Sequence, residues 1–556
     1  MNFPLSLIST LSFLSPLAAQ TVGGGYGPEF SLEGTVTGAN IGKKFATIAD
    51  VNGDGIDDLA IGVPNANSGG KQEAGYAELR SGSDGSLIYF WQGAISLQRL
   101  GREVADLGDL NGDGISEIGV SCHNPADFGQ VYVYSGINGN QIATWGSYLK
   151  QSDRFGASML NIGDIDLDGT PDILVGAPND GLPGSSTRTG SATLISGASG
   201  IAIYRAEGSE ANSEYGASMT SLGDINGDGY DDAHIGAPKA KFNNRSQAGA
   251  VYLISGVDGA ELWSVGGQNF QFRFGNDIAN AGDVDQDGVD DLIVGVPGDD
   301  HGRVLVYSGA NGVQLFWLSS PESQADFGFS VSTAGDFNGD NIPDFLIGAP
   351  IVDRPGLANA GAAYIYSGDN GSMLWSAYGH QAESQFGSRV RYLGRASGAL
   401  SYALGTSLFD LEGLAGAGRL DLYTEQPFLS ANAESVSVAA GAHIHYHLDF
   451  PPYLAGYEYK VLASKSGNGP FHYGVDIPLT YDHTLQSTWD GVHPGATAGS
   501  HSGLLDEAGD ATAYIIMGPG SYTHMVGITF QIAAVAMPTG GLPEFSSKAV
   551  QLEVLP

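Results

Sequence analysis

Cysteine, basic residues and long apolar runs are all scarce in this sequence. Its 556 residues include one cysteine, Cys122, so no intramolecular disulfide can form. Only 23 lysines and arginines stand against 61 aspartates and glutamates, which gives a formal net charge of −38. That charge disfavours nucleic acid and anionic membranes as partners. Beyond residue 20 no run reaches the ~18 apolar residues of a spanning helix, so no membrane span is expected.

Signatures of common hydrolases are also missing. The sequence contains neither a Gly-x-Ser-x-Gly nucleophile elbow nor a His-Glu-x-x-His zinc motif. The two domains assigned below leave no room for a separate catalytic domain. A binding protein is therefore expected rather than an enzyme.

The N-terminus resembles an export signal. Residues 1–19 contain an apolar core that ends in small residues at Ala18 and Ala19, which predicts a signal peptide cleaved near Ala19. The alternative is a buried N-terminal strand. The signal predicts a secreted protein, located outside the cell or at its surface.

One pattern of about 57 residues recurs along the chain. Its third copy runs from Phe155-Gly156 through an acidic loop to Gly176-Ala177-Pro178, and is followed by further short β-type runs and Gly-rich turns. A degenerate seventh copy starts at Phe386-Gly387. Seven units of four strands predict an all-β, seven-bladed propeller over residues 26–423, because radial repetition removes exposed sheet edges. The segment Phe30–Glu33 resembles a fourth strand and is predicted to close the ring in the last blade.

This combination of Phe-Gly, an Asp-rich loop and Gly-Ala-Pro resembles the FG-GAP repeat of integrin α-subunit propellers, over about 400 residues. The resemblance implies a seven-bladed propeller head, calcium bound in β-hairpin loops and a role in extracellular recognition.

Six of the loops carry oxygen ligands in a constant nine-residue register. Side chains at positions 1, 3, 5 and 9 and a backbone carbonyl at position 7 suit Ca²⁺, which takes 6–8 hard oxygen ligands. About six calcium ions with a structural role are expected. The predicted ligands are Asp50, Asn52, Asp54, Ile56 and Asp58; Asp109, Asn111, Asp113, Ile115 and Glu117; Asp164, Asp166, Asp168, Thr170 and Asp172; Asp224, Asn226, Asp228, Tyr230 and Asp232; Asp283, Asp285, Asp287, Val289 and Asp291; and Asp336, Asn338, Asp340, Ile342 and Asp344.

The sequence offers two alternatives to this metal loop. An EF-hand needs a bidentate Glu at position 12, but the six loops have apolar, β-branched residues there: Ile61, Val120, Val175, Ile235, Val294 and Ile347. Plain acidic turns are the other alternative, and six copies in register argue against them. Position 6 requires a tight turn, and it is glycine in five loops and Asn341 in the sixth.

Blades 2 and 7 depart from the pattern. Blade 2 has Leu100-Gly101 in place of Phe-Gly and Ser121-Cys122-His123 in place of Gly-Ala-Pro, so Cys122 is predicted to be a buried, inert thiol. In blade 7, Arg395 occupies the place of the first aspartate, and no metal is expected there.

The repeat ends near Pro427, and residues 428–556 predict a β-sandwich. A hairpin is expected over Leu504–Ala513. His443, His445 and His447 would share one strand face; a solvated polar face is the favoured interpretation, and a zinc site is the alternative.

The expected function is calcium-dependent extracellular recognition or adhesion, with an unknown protein or glycan as ligand. Two alternatives stay open: an accessory or catalytic part of a secreted hydrolase acting on polysaccharide or lipid, and a purely structural envelope or matrix protein. Fold alone does not choose among them.

Overall fold

The computed structural model describes residues 21–22, 26–123, 129–146, 153–181, 187–298, 301–322, 325–338, 340–354, 356–396, 399–411 and 413–425, and individual strands beyond them. The predicted signal peptide 1–19 lies outside these residues. Within them all regular elements are strands, and no helix is long and apolar enough to cross a membrane. One compact unit contains Phe30–Leu374 and Gly379–Leu422, and a second contains Tyr423–Pro556 with Trp375–Tyr378.

Each of the first six repeats folds into a sheet of four antiparallel strands in sequence order. Blades 1 to 3 contain β3 (Lys44–Ile48), β4 (Asp58–Val63), β5 (Tyr76–Arg80) and β6 (Leu87–Gln92); β7 (Val104–Asp106), β8 (Ile118–Cys122), β9 (Gln130–Tyr134) and β10 (Gln141–Gly146); and β11 (Ser158–Asn161), β12 (Ile173–Ala177), β13 (Ser191–Ile195) and β14 (Ala202–Glu207). Blades 4 to 6 contain β15 (Ser218–Ser221), β16 (Ala233–Ala237), β17 (Ala250–Ile254) and β18 (Glu261–Gly266); β19 (Ile278–Gly282), β20 (Asp291–Val296), β21 (Arg303–Tyr307) and β22 (Gln314–Ser319); and β23 (Ser330–Gly335), β24 (Asp344–Ala349), β25 (Ala362–Tyr366) and β26 (Met373–Tyr378), to which β1 (Thr21–Val22) adds a fifth strand.

The seventh blade is assembled from both ends of the repeat region. It contains β27 (Phe386–Ala396), β28 (Ala399–Thr406) and β29 (Arg419–Glu425), and β2 (Tyr26–Glu33) completes it beside β29. Ser31 Oγ donates a hydrogen bond of 2.5 Å to Asp421 Oδ1, across 390 residues of sequence. The predicted closure of the ring by the segment Phe30–Glu33 is confirmed.

The blades are arranged as a closed ring. The first strand of every blade contacts the first strand of the next, in the order β3, β7, β11, β15, β19, β23 and β27, and β27 returns to β3. The predicted seven-bladed, all-β propeller is confirmed. The second strands of blades 1 to 6 are buried along their whole length, whereas the fourth strands are partly exposed.

Glycine pairs explain why Phe-Gly and Gly-Ala-Pro recur together. A Cβ on Gly348 of blade 6 would lie 2.1 Å from the carbonyl oxygen of Gly387 in blade 7, and Gly176 stands in the same relation to Gly216, at 2.2 Å. The first glycine of Gly-Ala-Pro therefore touches the Phe-Gly glycine of the following blade, and only a residue without a side chain permits this approach. The motif marks the contact between neighbouring blades.

The C-terminal unit consists of two sheets and a hairpin. One sheet has the order β30 (Leu429–Ala431), β32 (Ala442–Asp449), β38 (Asp510–Met517), β36 (Ala498–Ser500). The other has the order β31 (Ser435–Ser437), β41 (Val550–Leu555), β39 (Thr529–Met537), β33 (Glu458–Ser464), β37 (Ser502–Leu504), with β40 (Phe545–Ser546) paired to β39. The hairpin joins β34 (Phe471–Tyr473) to β35 (Val475–Ile477).

The hairpin predicted over Leu504–Ala513 is wrong. Strand β37 pairs with β33 in one sheet, whereas β38 pairs with β32 and β36 in the other. The segment therefore connects two sheets, a possibility that alternation of apolar and polar residues does not distinguish from a hairpin. Strand β32 contains the three histidines of the possible zinc site, whose side chains lie outside the described residues.

Candidate metal centres

All six Asp-rich segments lie at the same place in their blades, between the first and second strands. The first strand lines the axis of the ring and the second strand is its buried neighbour. Position 9 is the start of the second strand or directly precedes it, and its side chain is fully buried in every blade. Position 12 falls inside the second strand, with Ile61 in β4 and Ile347 in β24 both buried. The strand therefore excludes the twelfth ligand of an EF-hand.

The carboxylate at position 1 is held by backbone amides. In blade 1, Asp50 Oδ2 accepts a hydrogen bond of 2.7 Å from the N–H of Gly55, and Oδ1 accepts bonds from Gly53 and Asp54. The bond between positions 1 and 6 recurs in all six loops at 2.7–3.0 Å. The position-5 carboxylate likewise accepts from the N–H of position 7, at 2.9–3.0 Å. The backbone thus fixes two ligand carboxylates before any ion binds.

Two loops already gather three carboxylates at a spacing that fits a calcium ion. Asp164, Asp166 and Asp172 offer oxygens within 4.8 Å of one another, and so do Asp283, Asp285 and Asp287. Oxygens bound to one Ca²⁺ at about 2.4 Å are at most about 4.8 Å apart. The donor set, made only of hard oxygens, fits calcium in both loops.

In the other four loops position 3 is asparagine. In blade 4 the Asn226 amide donates to Asp228 Oδ2 at 2.9 Å and to Asp232 Oδ1 at 3.2 Å. Asn338 donates to Asp340 in the same way, at 2.9 Å. These contacts bring the position-3 side chain against the acidic positions that the sequence predicts to share an ion.

The turn at position 6 requires a left-handed backbone conformation, but the space around it would admit a side chain. The five glycines have φ between +86° and +93°, Asn341 has φ +66°, and a Cβ on any of the five glycines would meet nothing within 4 Å. The preference for glycine is therefore conformational rather than steric. Asparagine tolerates this region better than other residues with a side chain, which explains its presence in the sixth loop.

In five of the six loops, position 9 connects the loop to a second turn that the sequence prediction did not include. Asp58 accepts a bond of 2.9 Å from Val51 N–H in its own loop and one of 3.2 Å from Gly82 N–H, which belongs to the turn between the third and fourth strands. Blades 3 to 6 repeat this bond to the Ser-Gly turn at 3.0–3.1 Å. A Cβ on Gly82 would lie 1.9 Å from the carbonyl oxygen of Asp57. The recurring Ser-Gly pair was visible in sequence, but nothing there linked it to the acidic loop.

Burial shifts the acidity of the position-9 carboxyls. Burial, followed by the nearby loop carboxylates and against several backbone hydrogen bonds, raises the pKa of Asp58 and Asp291 to about 6. The same cause raises the pKa of Glu117 and Asp344 to about 7. A carboxylate in such a site is costly without a cation beside it.

Without divalent cations, the position-9 carboxyls should make the propeller more stable as the pH falls from about 8 to about 6. Groups such as Asp344 have a raised pKa in the fold, so the folded chain binds more protons than the unfolded chain in this window. The gain is complete only below the unfolded pKa. Thermal melts of cation-free protein across this range measure the slope. Asp344→Asn should reduce it and the exposed control Glu261→Gln should not; equal slopes in all three proteins would contradict the shifted pKa.

Blade 7 has no room for a loop of this kind. Its first two strands stay paired as far as Arg395–Leu400 and Ala396–Ala399, leaving two residues between β27 and β28. The other blades have a nine-residue loop at this place. The loss of acids around Arg395 thus accompanies a shorter connection.

Cys122 is the last residue of β8, and its thiol is buried. It packs in the apolar cluster that includes Trp91 and Val120. This environment agrees with the inert thiol expected from the sequence.

Comparison with known families identifies the class of repeat. The FG-GAP repeat profile matches residues 45–77, 155–195, 215–254 and 327–366, which cover parts of blades 1, 3, 4 and 6. These blades are FG-GAP repeats, and the resemblance deduced from the sequence is confirmed.

Integrin α subunits are among the relatives of the chain. It is 30% identical to integrin alpha-V of Gallus gallus over 247 residues, which are 41% of this chain and 23% of that protein. It is 31% identical to integrin alpha-5 of Xenopus laevis over 218 residues, which are 36% of this chain and 20% of that protein. The match therefore spans about a fifth of the length of these relatives, and the propeller is integrin-like.

Solved structures similar to the chain include a propeller of Dos1 and Sqt1 of Saccharomyces cerevisiae. The Dos1 propeller has a TM-score of 0.38 and 11% identity, covering 66% of this chain and 75% of that one. Sqt1 has a TM-score of 0.43 and 10% identity, covering 72% of this chain and 98% of that one.

Proposed function

We propose that this chain is a secreted, integrin-like propeller protein that recognises an extracellular protein or glycan, and that about six structural calcium ions stiffen it. The observation that carries the proposal is the oxygen-rich loop preorganised by backbone amides, repeated in six blades of an FG-GAP propeller. The similarity to integrin α subunits favours a binding protein over the hydrolase alternative. Secretion rests on the export signal predicted for residues 1–19.

Calcium would act on two connections in blade 1 and in blades 3 to 6. The loop lies between the first two strands, and its position-9 carboxylate also holds the turn between the last two strands. An ion held by positions 1, 3, 5 and 9 would therefore fix all four strands of a blade at one end. Residues such as Asp50 and Asp58 bind and orient, and none is assigned a catalytic step.

Stiffening favours recognition because an ordered surface pays less conformational entropy on binding. The Asp-rich loops all follow first strands and so share one end of the ring. The Gly-Ala-Pro segments follow second strands, which run the opposite way, and lie at the other end. Calcium at one end would leave the other end free to present a ligand-binding surface.

The test is capture of partners on immobilised full-length protein. Cell-surface and matrix extracts are passed over it in buffered calcium and again in chelator, and retained proteins and glycans are identified by mass spectrometry and glycan array. A partner retained only with calcium is the expected result. A control with Asp283, Asp285 and Asp287 changed to Asn should retain less of it than Glu261→Gln does.

Two outcomes would count against recognition. Retention of nothing under either condition would favour the structural alternative. Release of sugar or lipid fragments from the extracts by the purified protein would favour the hydrolase alternative.

A further inference from the structure

The axial channel has an unusual charge for so acidic a protein. A cavity of about 640 Å³ is lined by the first strands of all seven blades, and a smaller one of about 170 Å³ adjoins it where these strands begin. Six of the chain's 23 basic residues line the two cavities: Lys43, Lys44, Arg102, Arg154, Arg389 and Arg391. The Asp-rich loops follow the other ends of the same strands. Glu214 also lines the smaller cavity, but it is paired with Lys239 at 2.9 Å. The ring is therefore cationic at one end of its axis and acidic at the other.

The charged residues of the channel occupy equivalent places in different blades. Each first strand has a glycine at or just before its start, and the residue two positions later occupies the equivalent place in every blade. This residue is charged in four blades and serine in the other three; the charged ones are Lys44, Glu103, Asp277 and Arg389. Ring closure brings these places together around the axis. These places contribute two basic and two acidic side chains, which meet only in the assembled ring.

The two buried acids of this ring are already neutralised. Glu103 forms ion pairs with Lys44 at 2.5 Å and with Arg389 at 3.0 Å. Burial raises the pKa of Glu103, but Lys44 and then Arg389 outweigh it and keep the pKa below its ordinary value. Asp277 pairs in the same way with Arg391, at 3.3 Å.

Three basic residues beside these pairs have no counterion. Among the described residues, Lys43, Arg102 and Arg154 form neither an ion pair nor a side-chain hydrogen bond. Burial, and then repulsion from Arg154 and Arg99, lowers the pKa of Arg102. Burial followed by Arg102 and Arg154 lowers the pKa of His123 to about 4, and its Nδ1 has no partner in the described part of the chain. Mutual repulsion of this kind is relieved by a bound anion.

We propose that the channel mouth formed by Lys43, Arg102 and Arg154 binds the acidic group of an anionic glycan. Guanidinium groups bind planar carboxylates and sulfates through paired hydrogen bonds. Below the mouth, the channel wall offers hydroxyl and amide groups, among them Ser158, Ser218 and Asn276, which suit a hydroxylated ligand. The smaller cavity holds roughly the volume of six water molecules, enough for one sugar ring. This inference rests on the proposed recognition function and names its ligand class and its site.

The test is isothermal titration of the full-length protein with trigalacturonate at a fixed, buffered free calcium concentration, because uronates also bind calcium. Binding should weaken roughly tenfold or more in the double variant Arg102→Gln/Arg154→Gln. It should be unchanged in Lys241→Gln, which removes an exposed charge elsewhere in the propeller. Raising the salt from about 50 to about 200 mM should weaken binding to the parent protein. Galactotriose, which has the same kind of ring without the acid, should not bind.

Equal affinity in the double variant and in Lys241→Gln would overturn the site, and so would the absence of heat with both trigalacturonate and a sulfated disaccharide. Tighter binding of a Glu-rich tripeptide than of either sugar would replace a glycan by a peptide and overturn the ligand class. Unchanged melting curves of the variants show that a loss is local. Partner capture in calcium that is undiminished in the double variant would reject the site and leave the recognition function standing.

Discussion

Removal of calcium is expected to lower the melting temperature of the propeller by about 10 °C. Six sites of ~0.1 mM affinity in ~1 mM calcium would each add about 1.4 kcal/mol, or about 8 kcal/mol together. A propeller of about 400 residues has an unfolding entropy near 0.8 kcal/mol per degree, which converts this energy into the expected shift. The physical source is the cost of buried acids such as Asp344, which a divalent ion removes. Scanning calorimetry in calcium and in chelator measures the shift.

A matched variant separates calcium loading from general charge effects. Changing Asp283, Asp285 and Asp287 to Asn removes one proposed site, so native mass spectrometry should count one ion fewer and the shift on chelation should shrink. Glu261→Gln changes one exposed charge outside the loops and should leave both values unchanged. A melting temperature indifferent to chelator in the parent protein would reject structural calcium.

The substitution Gly348→Ala should destabilise the propeller by about 3 kcal/mol. The new Cβ would lie 2.1 Å from the carbonyl oxygen of Gly387, which belongs to the backbone of the next blade. Backbone cannot swing aside as the end of a flexible side chain does, so blades 6 and 7 must separate locally. Denaturant unfolding with calcium held constant measures the loss.

Gly146→Ala is the control for this substitution. Gly146 ends β10, and an added Cβ would meet only Gln130 Cγ at 3.7 Å and Gly129 O at 3.9 Å, ordinary contact distances. It should cost less than about 1 kcal/mol. If the two variants unfold at the same denaturant concentration, the glycine pair does not limit how closely the blades approach.

The architecture could be predicted from the sequence because the same order of motifs recurs from blade to blade. The spacing of the loop aspartates gave the blades, and Phe30–Glu33 was recognisable as a strand without partners in its own unit. The loop register predicts the ligand positions, since side chains at positions 1, 3, 5 and 9 can converge only around a tight turn such as that at Gly55 or Asn341. These inferences depend on local order, which a sequence displays directly.

Features formed between repeats were not predictable in the same way. The bond from Gly82 to Asp58 joins residues 24 apart, and a Ser-Gly pair has many structural uses. The cationic channel mouth forms only when equivalent positions of several blades meet at the axis. The hairpin predicted over residues 504–513 was wrong for a related reason. Alternation of apolar and polar residues indicates which face of a strand is buried, but not which sheet the next strand joins.

The strand that completes blade 7 also sets an order of events during synthesis. Residues 26–33 leave the ribosome before β29 and can pair with it only after almost 400 further residues have been made. Six blades can form as they emerge, since each pairs strands close in sequence, but the seventh must wait with an open edge. Loop closure over such a distance costs little more than over half of it, because the entropy grows only with the logarithm of length. The pairing of β2 with β29 is therefore a late step in folding, but its entropic cost is small. It converts an open arc of blades into a closed ring, which cannot unfold from either end until this pairing is broken.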